Sequence, residues 1–227
     1  MSKLRGVYVT GTDTDVGKTR VSAAVARAWC DLRTVPTIVK LVQTGIARSD
    51  AGDAQLAARW AGSKWRELGR FRAAADPWSA ALAESNRPLR VAQLLAGVRA
   101  CAEPVVVEGT GGAAVPLNET ETLTDVAVQT GLPAIVVVGL RLGCLNHALL
   151  TIAYLQEKKI RVAGLVCVER WQPVDAAYRN DVVRTLEPHA PLLGTVAFDH
   201  DPQRSTIAAA PLFASFVEEA TSSTTRS

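Results

Sequence analysis

Val9-Thr10-Gly11-Thr12-Asp13-Thr14-Asp15-Val16-Gly17-Lys18-Thr19 is the stretch that decides the fold. It follows a short apolar strand that starts at Gly6 and opens a long alanine-rich helix. A strand, a tight loop ending in Gly-Lys-Thr and then a helix form a phosphate cradle. Backbone N–H groups and the positive end of the helix both face the bound anion. In such a cradle Lys18 reaches the β- and γ-phosphates and the Thr19 hydroxyl ligates Mg2+. Five residues separate Gly11 from Gly17, one more than in the usual loop, which narrows the match to a subgroup of such loops. The alternative is a chance Gly-Lys-Thr at a helix start, and the flanking strand and helix argue against it. The chain is expected to bind a nucleoside triphosphate.

Outward from this loop, strands and helices alternate. Strand candidates are Val7–Thr10, Thr37–Val42, Val105–Glu108, Ala134–Leu140, Val162–Val168 and Leu192–Phe198. Most are unbroken β-branched runs, as expected for strands covered on both faces. Helix candidates are Lys18–Leu32, Asp53–Ala61, Val91–Ala102, Leu123–Thr130, Leu145–Lys159, Ala176–Leu186 and Ala209–Ala220. The alternation predicts an α/β, single-domain P-loop NTPase fold: a mostly parallel, doubly wound sheet flanked by helices, with right-handed crossovers. Residues 62–90, with Asp76-Pro77 and Arg87-Pro88, read as loops with a short helix. No repeat or linker is visible. Residues 1–220 are expected to form one domain, and the small polar residues 221–227 a tail that frays.

Composition narrows the function. The 227 residues suffice for one sizeable α/β core, and 48% hydrophobic with 21% charged residues describes an ordinary soluble protein. No basic start followed by an apolar core marks a signal peptide. The apolar runs fall far short of the ~20 residues that span a bilayer. A cytoplasmic protein with no membrane partner is expected. A net charge of +3, with scattered basic residues, argues against a nucleic-acid partner, and Arg66, Arg70 and Arg72 read as a solvated face or loop. The four cysteines lack metal-binding spacing, and Cys101 and Cys167 read as buried reduced thiols.

Ligands of a doubly wound sheet sit at the carboxyl ends of its strands. Four loops there carry chemistry. After the phosphate loop comes Lys40-Leu41-Val42-Gln43-Thr44-Gly45. Lys40 near the end of a buried strand either snorkels to solvent or meets an anion, and the triphosphate expected at the same edge favours the anion. Next is Glu108-Gly109-Thr110-Gly111-Gly112, in which an acid ends a hydrophobic strand. Such an acid is the usual Mg2+ partner of a phosphate loop, and the glycines admit a ligand closely. Asp53, after Gly52, reads either as a helix N-cap or as a second carboxylate for the metal. Finally, Leu142-Gly143-Cys144-Leu145-Asn146-His147 opens a helix whose free N–H groups either hold a carboxylate or are simply capped.

With these loops in place the chain resembles the dethiobiotin synthetases from about Val7 to Phe198. Gly11 to Thr19 resembles their phosphate loop, Lys40 to Gly45 their K-P-V-x-[ST]-G segment, Glu108 to Gly112 their E-G-A-G-G, and Leu142 to His147 their L-G-x-x-N-H. The resemblance implies closure of the ureido ring of dethiobiotin from 7,8-diaminononanoate, CO2 or bicarbonate, and ATP, in biotin biosynthesis. It implies Lys18 and Lys40 as catalytic residues, and Thr19, Asp53 and Glu108 as holders of Mg2+. Thr44 would bind the diamine, and Asn146 its carboxylate from the neighbouring subunit of a homodimer. Around the nucleotide it implies Asp15, Val16, Gly17, Lys18, Thr19 and Arg20. Asp53, Glu108, Gly109, Thr110 and Gly111 would line the phosphates, with Val168, Glu169, Ala197, Phe198 and Asp199 near the base. Leu41, Asp15 and Thr110 depart mildly from the family pattern, while Ala197 lacks the proline usual in the loop near the base. Val168 stands where some members carry an asparagine that reads adenine, so a relaxed preference among triphosphates is expected.

Two other readings fit less well. A partition-type switch ATPase carries a second lysine early in its loop, where this chain has Asp13. The corrin-amidating synthetases need a glutaminase domain that has no counterpart here.

Overall fold

A computed structural model of the chain describes residues 4–222. Seven strands form one sheet: β1 (Gly6–Gly11), β2 (Thr37–Lys40), β3 (Lys64–Glu67), β4 (Val105–Glu108), β5 (Ala134–Gly139), β6 (Val162–Val168) and β7 (Leu192–Val196). Their order is β3-β2-β4-β1-β5-β6-β7, and every pairing is parallel. The helices are α1 (Lys18–Asp31), α2 (Asp53–Ala61), α3 (Pro77–Ala83), α4 (Val91–Arg99), α5 (Thr124–Thr130), α6 (Cys144–Glu157), α7 (Ala176–Leu186), α8 (Pro202–Ala209) and α9 (Ala214–Ser222). Among the described residues no helix is long and apolar enough to cross a membrane.

Side chains alternate across each strand, so the sheet carries a core on each face. Val7, Val9, Ile38, Val106, Ile135, Val137 and Val166 pack toward α1, α2 and the C-terminal helices, around the fully buried Trp29. Tyr8, Val39, Val105, Val107, Val136 and Val138 pack the other way, against α4, α5, α6 and α7. Both faces being covered accounts for the unbroken β-branched runs. The same alternation orients the chemistry. Lys40 is two residues beyond Ile38, and Glu108 two beyond Val106, so both face α1 and α2. They are also register partners across β2 and β4.

Three local features differ from expectation. β3 reads Lys64-Trp65-Arg66-Glu67, a charged and mostly exposed tetrapeptide in a segment expected to be loop. It is a sheet edge, where charge blunts unwanted pairing and periodicity gives no signal. The expected helix Ala209–Ala220 is instead α8, a 3-10 turn at Ala210–Phe213 and α9, because Pro211 interrupts the run. α9 continues through Thr221 and Ser222, into the stretch expected to fray, and residues 223–227 of that stretch lie outside the described residues. Of the two cysteines expected to be buried, Cys167 is, while Cys101 is only partly so and bonds to the Gly97 carbonyl.

Candidate active site

The phosphate loop leaves β1 and enters α1 through Gly17, whose φ of 102° is strained for any residue with a side chain. A Cβ there would also lie 2.9 Å from Val168 Cγ1. The loop is therefore seated directly on β6. Thr12 N–H bonds to the Val137 carbonyl at 3.0 Å, which fixes the loop to β5 as well. Two ion pairs flank it: Asp13 with Arg141, and Asp15 with Arg170 at 2.8 Å. Arg141 in turn lies 5.7 Å above the Trp171 ring.

Beneath the loop is a buried charge cluster. Lys40 Nζ lies 2.7 Å from Glu108 Oε1 and 2.7 Å from Asp53 Oδ2, and donates to the Gly109 carbonyl at 3.1 Å. Lys40 is 2% exposed and Glu108 is wholly buried. Burial alone would lower the Lys40 ammonium, but the charges of Glu108 and Asp53 outweigh it and hold the group above lysine's ordinary range. Asp53 is the first residue of α2 and turns its carboxylate to Lys40; it is not the cap, a position Gly52 occupies. Lys18 folds back over the loop to donate to the Asp13 carbonyl at 2.7 Å. Burial, and next the Lys40 charge, bring Lys18 from 10.5 down to about 8.

Thr19 Oγ1 donates to Glu108 Oε1 at 3.1 Å. The other oxygen, Glu108 Oε2, is buried with no hydrogen-bond partner. A buried carboxylate oxygen left unpaired is costly, at about 1–3 kcal/mol or more. With the Thr19 hydroxyl and Asp53 beside it, the donor set is all oxygen and suits a hard cation. Among the described residues no cluster of three or more His, Cys, Asp or Glu gathers. Two carboxylates with phosphate and water oxygens are the set Mg2+ takes at phosphate sites.

A cleft of about 380 Å³ joins these groups. Asp15, Gly17, Lys18, Thr19, Arg20, Lys40, Thr44, Asp53, Glu108, Thr110 and Gly111 line it, so these eleven expected site residues meet at one place. Val16 is buried in the core behind the loop, and Gly109 packs against the Tyr8 hydroxyl. Thr110 donates its hydroxyl to the Val42 carbonyl, which ties the loops after β4 and β2 together. The residues expected near the base lie apart from this cleft. Val168 is fully buried under Gly17. Glu169 accepts from Arg179 at 2.6 Å and from the Phe198 N–H at 3.2 Å, so it braces the loop after β7. Ala197, Phe198 and Asp199 line a smaller cleft of about 140 Å³ against α8. Asn146 is exposed on the first turn of α6, outside both clefts.

The sequence reading missed several residues of the site. Gln43 Oε1 accepts the Asp53 N–H at 3.0 Å and sets the start of α2. Arg70, taken for a solvated arginine, pairs with Glu67 at 2.6 Å and donates to the carbonyls of Ala47 and Asp50 at 2.8 and 3.1 Å. It holds the loop that delivers Asp53. Arg170, Leu56, Trp60 and Pro202 also line the main cleft. Trp65 and Trp78 do not. No local pattern marks Gln43 or Arg70, because Gln43 acts on a helix start 10 residues on and Arg70 on carbonyls 20 and 23 residues back.

Comparison with known proteins agrees with this geometry. The AAA domain family matches residues 5–205. The ATP-dependent dethiobiotin synthetase BioD of Pseudescherichia vulneris is 36% identical over 205 residues, covering 83% of this chain and 78% of that one. Among solved structures, the ParA family ATPase of Chlorobium tepidum superposes with a TM-score of 0.53 at 11% identity, covering 92% of both chains. Chloroplast FtsY of Physcomitrella patens gives a TM-score of 0.54 at 16% identity, covering 92% of this chain and 66% of that one. At such identities the two structures speak for the fold alone.

Proposed function

The chain belongs to the AAA domain family and, within it, to the ATP-dependent dethiobiotin synthetases, and on that premise we propose that it closes the ureido ring of dethiobiotin from 7,8-diaminononanoate, CO2 and ATP. The observation that carries the proposal is Lys40. It is a buried ammonium at a strand end, held between two carboxylates, in the same cleft as the phosphate-loop lysine. A structural lysine would find solvent or a single partner.

One amine of the diamine captures CO2 as a carbamate. A carbamate oxygen then attacks the γ-phosphorus, and ADP leaves. The second amine attacks the carbon of the mixed anhydride, and phosphate departs with its oxygen. Negative charge is greatest where carbamate and γ-phosphate oxygens meet, and Lys40 and Lys18 neutralise it there. Thr44 lines the cleft with no protein partner for its hydroxyl among the described residues, and it hydrogen-bonds the diamine or its carbamate. Both amines must reach one carbon, so positioning supplies much of the rate. Thr19, Asp53 and Glu108 would hold Mg2+, which when bound supplies charge neutralisation across the β- and γ-phosphates. Val168, with no amide to offer, supports a relaxed preference among nucleoside triphosphates.

The enzyme acts as a cytoplasmic homodimer, with Asn146 holding the carboxylate of a diamine bound mainly by the partner. Two features support this. Asn146 lies outside this chain's own cleft, and the same region exposes Leu142 (94%) and Leu150 (62%).

The decisive experiment supplies Mg-ATP and bicarbonate with and without 7,8-diaminononanoate, and follows phosphate release and dethiobiotin mass. Diamine-dependent phosphate that matches product establishes the reaction. Slow hydrolysis indifferent to the diamine would sink it and favour a switch ATPase.

A further inference from the structure

Two cations of the cleft play no part in the reaction as drawn. Arg20 is the third residue of α1, directly after Thr19. It makes no hydrogen bond or ion pair among the described residues, and its Nη1 is buried without a partner. Arg170 follows Glu169 beyond the end of β6. Its Nε and Nη2 lie 3.1 and 2.8 Å from the same oxygen of Asp15, and Nη1 has no partner among the described residues. Both side chains line the main cleft. Arg20 is lowered from arginine's ordinary range by burial and then by the charge of Arg170, with Asp199 and Asp15 opposing. Two guanidinium groups therefore share one end of the cleft, and one keeps a buried N–H unsatisfied. Their remaining donors suit an anion, to which charged hydrogen bonds are the strong ones.

The position names the anion. Lys18 marks the β- and γ-phosphate end, and the loop backbone cradles the α- and β-phosphates. Arg20 lies further along the helix than Thr19, so the phosphate nearest to it is the α-phosphate, with the ribose beyond. We propose that Arg20 and Arg170 grip the α-phosphate and ribose of the bound nucleotide as a guanidinium pair, Arg170 leaving Asp15 to do so. The proposal rests on the nucleotide-binding reading above and deepens it. Contacts to phosphate and sugar carry no information about the base. The pair therefore contributes equally to every nucleoside triphosphate, and it supplies affinity that Val168 cannot.

Calorimetric titration of MgATP, MgCTP and MgADP into wild type, R20Q, R20K and R170Q tests this, without diamine and with each variant's melting temperature checked. R20Q and R170Q should each weaken all three nucleotides by about tenfold, to the same degree. R20K keeps the charge without the fork and should fall between R20Q and wild type. Unchanged affinity in both glutamine variants, or a loss confined to one base, would overturn the proposal. So would a loss in R170Q matched by a lowered melting temperature of the nucleotide-free protein, because Arg170 would then be only a brace for the loop. Dethiobiotin formation by the wild type is a separate readout. A chain that shows this binding pattern yet makes no dethiobiotin keeps the guanidinium pair and loses the synthetase reading.

Discussion

The two ends of the cleft are built on opposite principles. At one end Lys40, Glu108 and Asp53 pair with one another at the ends of two adjacent strands and the start of a helix, with Lys40 and Glu108 shut off from water. At the other end Arg20, Arg170 and Asp15 sit on a helix turn and two loops, with Asp15 58% exposed and Arg20 unpaired. The first arrangement resists change, because removing one partner leaves a buried charge without compensation. The second exchanges partners at little cost in high dielectric. Chemistry that must be positioned closely occupies the rigid end, and the yielding one is left to the parts of the nucleotide that do not react.

The largest expected effect follows from emptying the rigid end. Lys40→Met strands Glu108 and Asp53 and should destabilise the fold by about 3–5 kcal/mol, seen as a lowered urea midpoint. Dethiobiotin formation should fall by about 10²–10³. Survival of a tenth of the activity would erase the contrast between the two ends. Next is the loop that spans both. Gly17→Ala meets Val168 and a φ of 102°, and should cost about 1–3 kcal/mol in a denaturant melt, with weaker binding of every nucleotide.

A subtler effect is on pH dependence. Lys18 in the free protein titrates near 8, below its ordinary 10.5. Bound phosphate favours the ammonium and raises that value, so binding takes up protons. Affinity should be fully present below pH 8 and decline as pH rises through it. Calorimetry in buffers of different ionisation enthalpy reads the proton uptake. Lys18→Arg, which stays charged, should flatten the profile, and an unchanged profile would assign the titration elsewhere. The smallest effect is expected outside the cleft. Arg204 pairs with Asp199 at 2.6 Å and holds that carboxyl down to about 2, yet Arg204 itself is 71% exposed. Arg204→Ala should leave the melting temperature unmoved.

The same contrast explains what could be read from the sequence. Val105–Glu108 and Ala134–Gly139 announce themselves because burial on both faces demands unbroken apolar runs. The phosphate loop does so because strand, glycine and lysine must follow one another in the chain. Lys40 and Glu108 stand out because a charge ending such a run needs a reason, whereas Asp53 at a helix start reads equally as a cap. β3 was illegible because an exposed edge strand carries no periodic signal, and its register with β2 is what makes it a strand. Arg70 and Arg170 were illegible for a related cause. Their partners lie in loops that tertiary packing alone brings close, as Asp15 and Arg170 are 155 residues apart.

Arg70 gives the site a weak seam. Asp53 is held by Gln43 and by a loop that Arg70 pins, and Arg70 itself is paired to Glu67 at the end of β3, which bonds to a single neighbouring strand. The phosphate loop, in contrast, is anchored to β5 and β6 in the interior of the sheet. On warming, fraying should begin at the β3 edge and carry Asp53 away while the loop still holds nucleotide. The enzyme would then have two thresholds, losing turnover at a temperature where it still binds ATP. Arg70→Ala should widen that gap by lowering the first threshold and leaving the second in place.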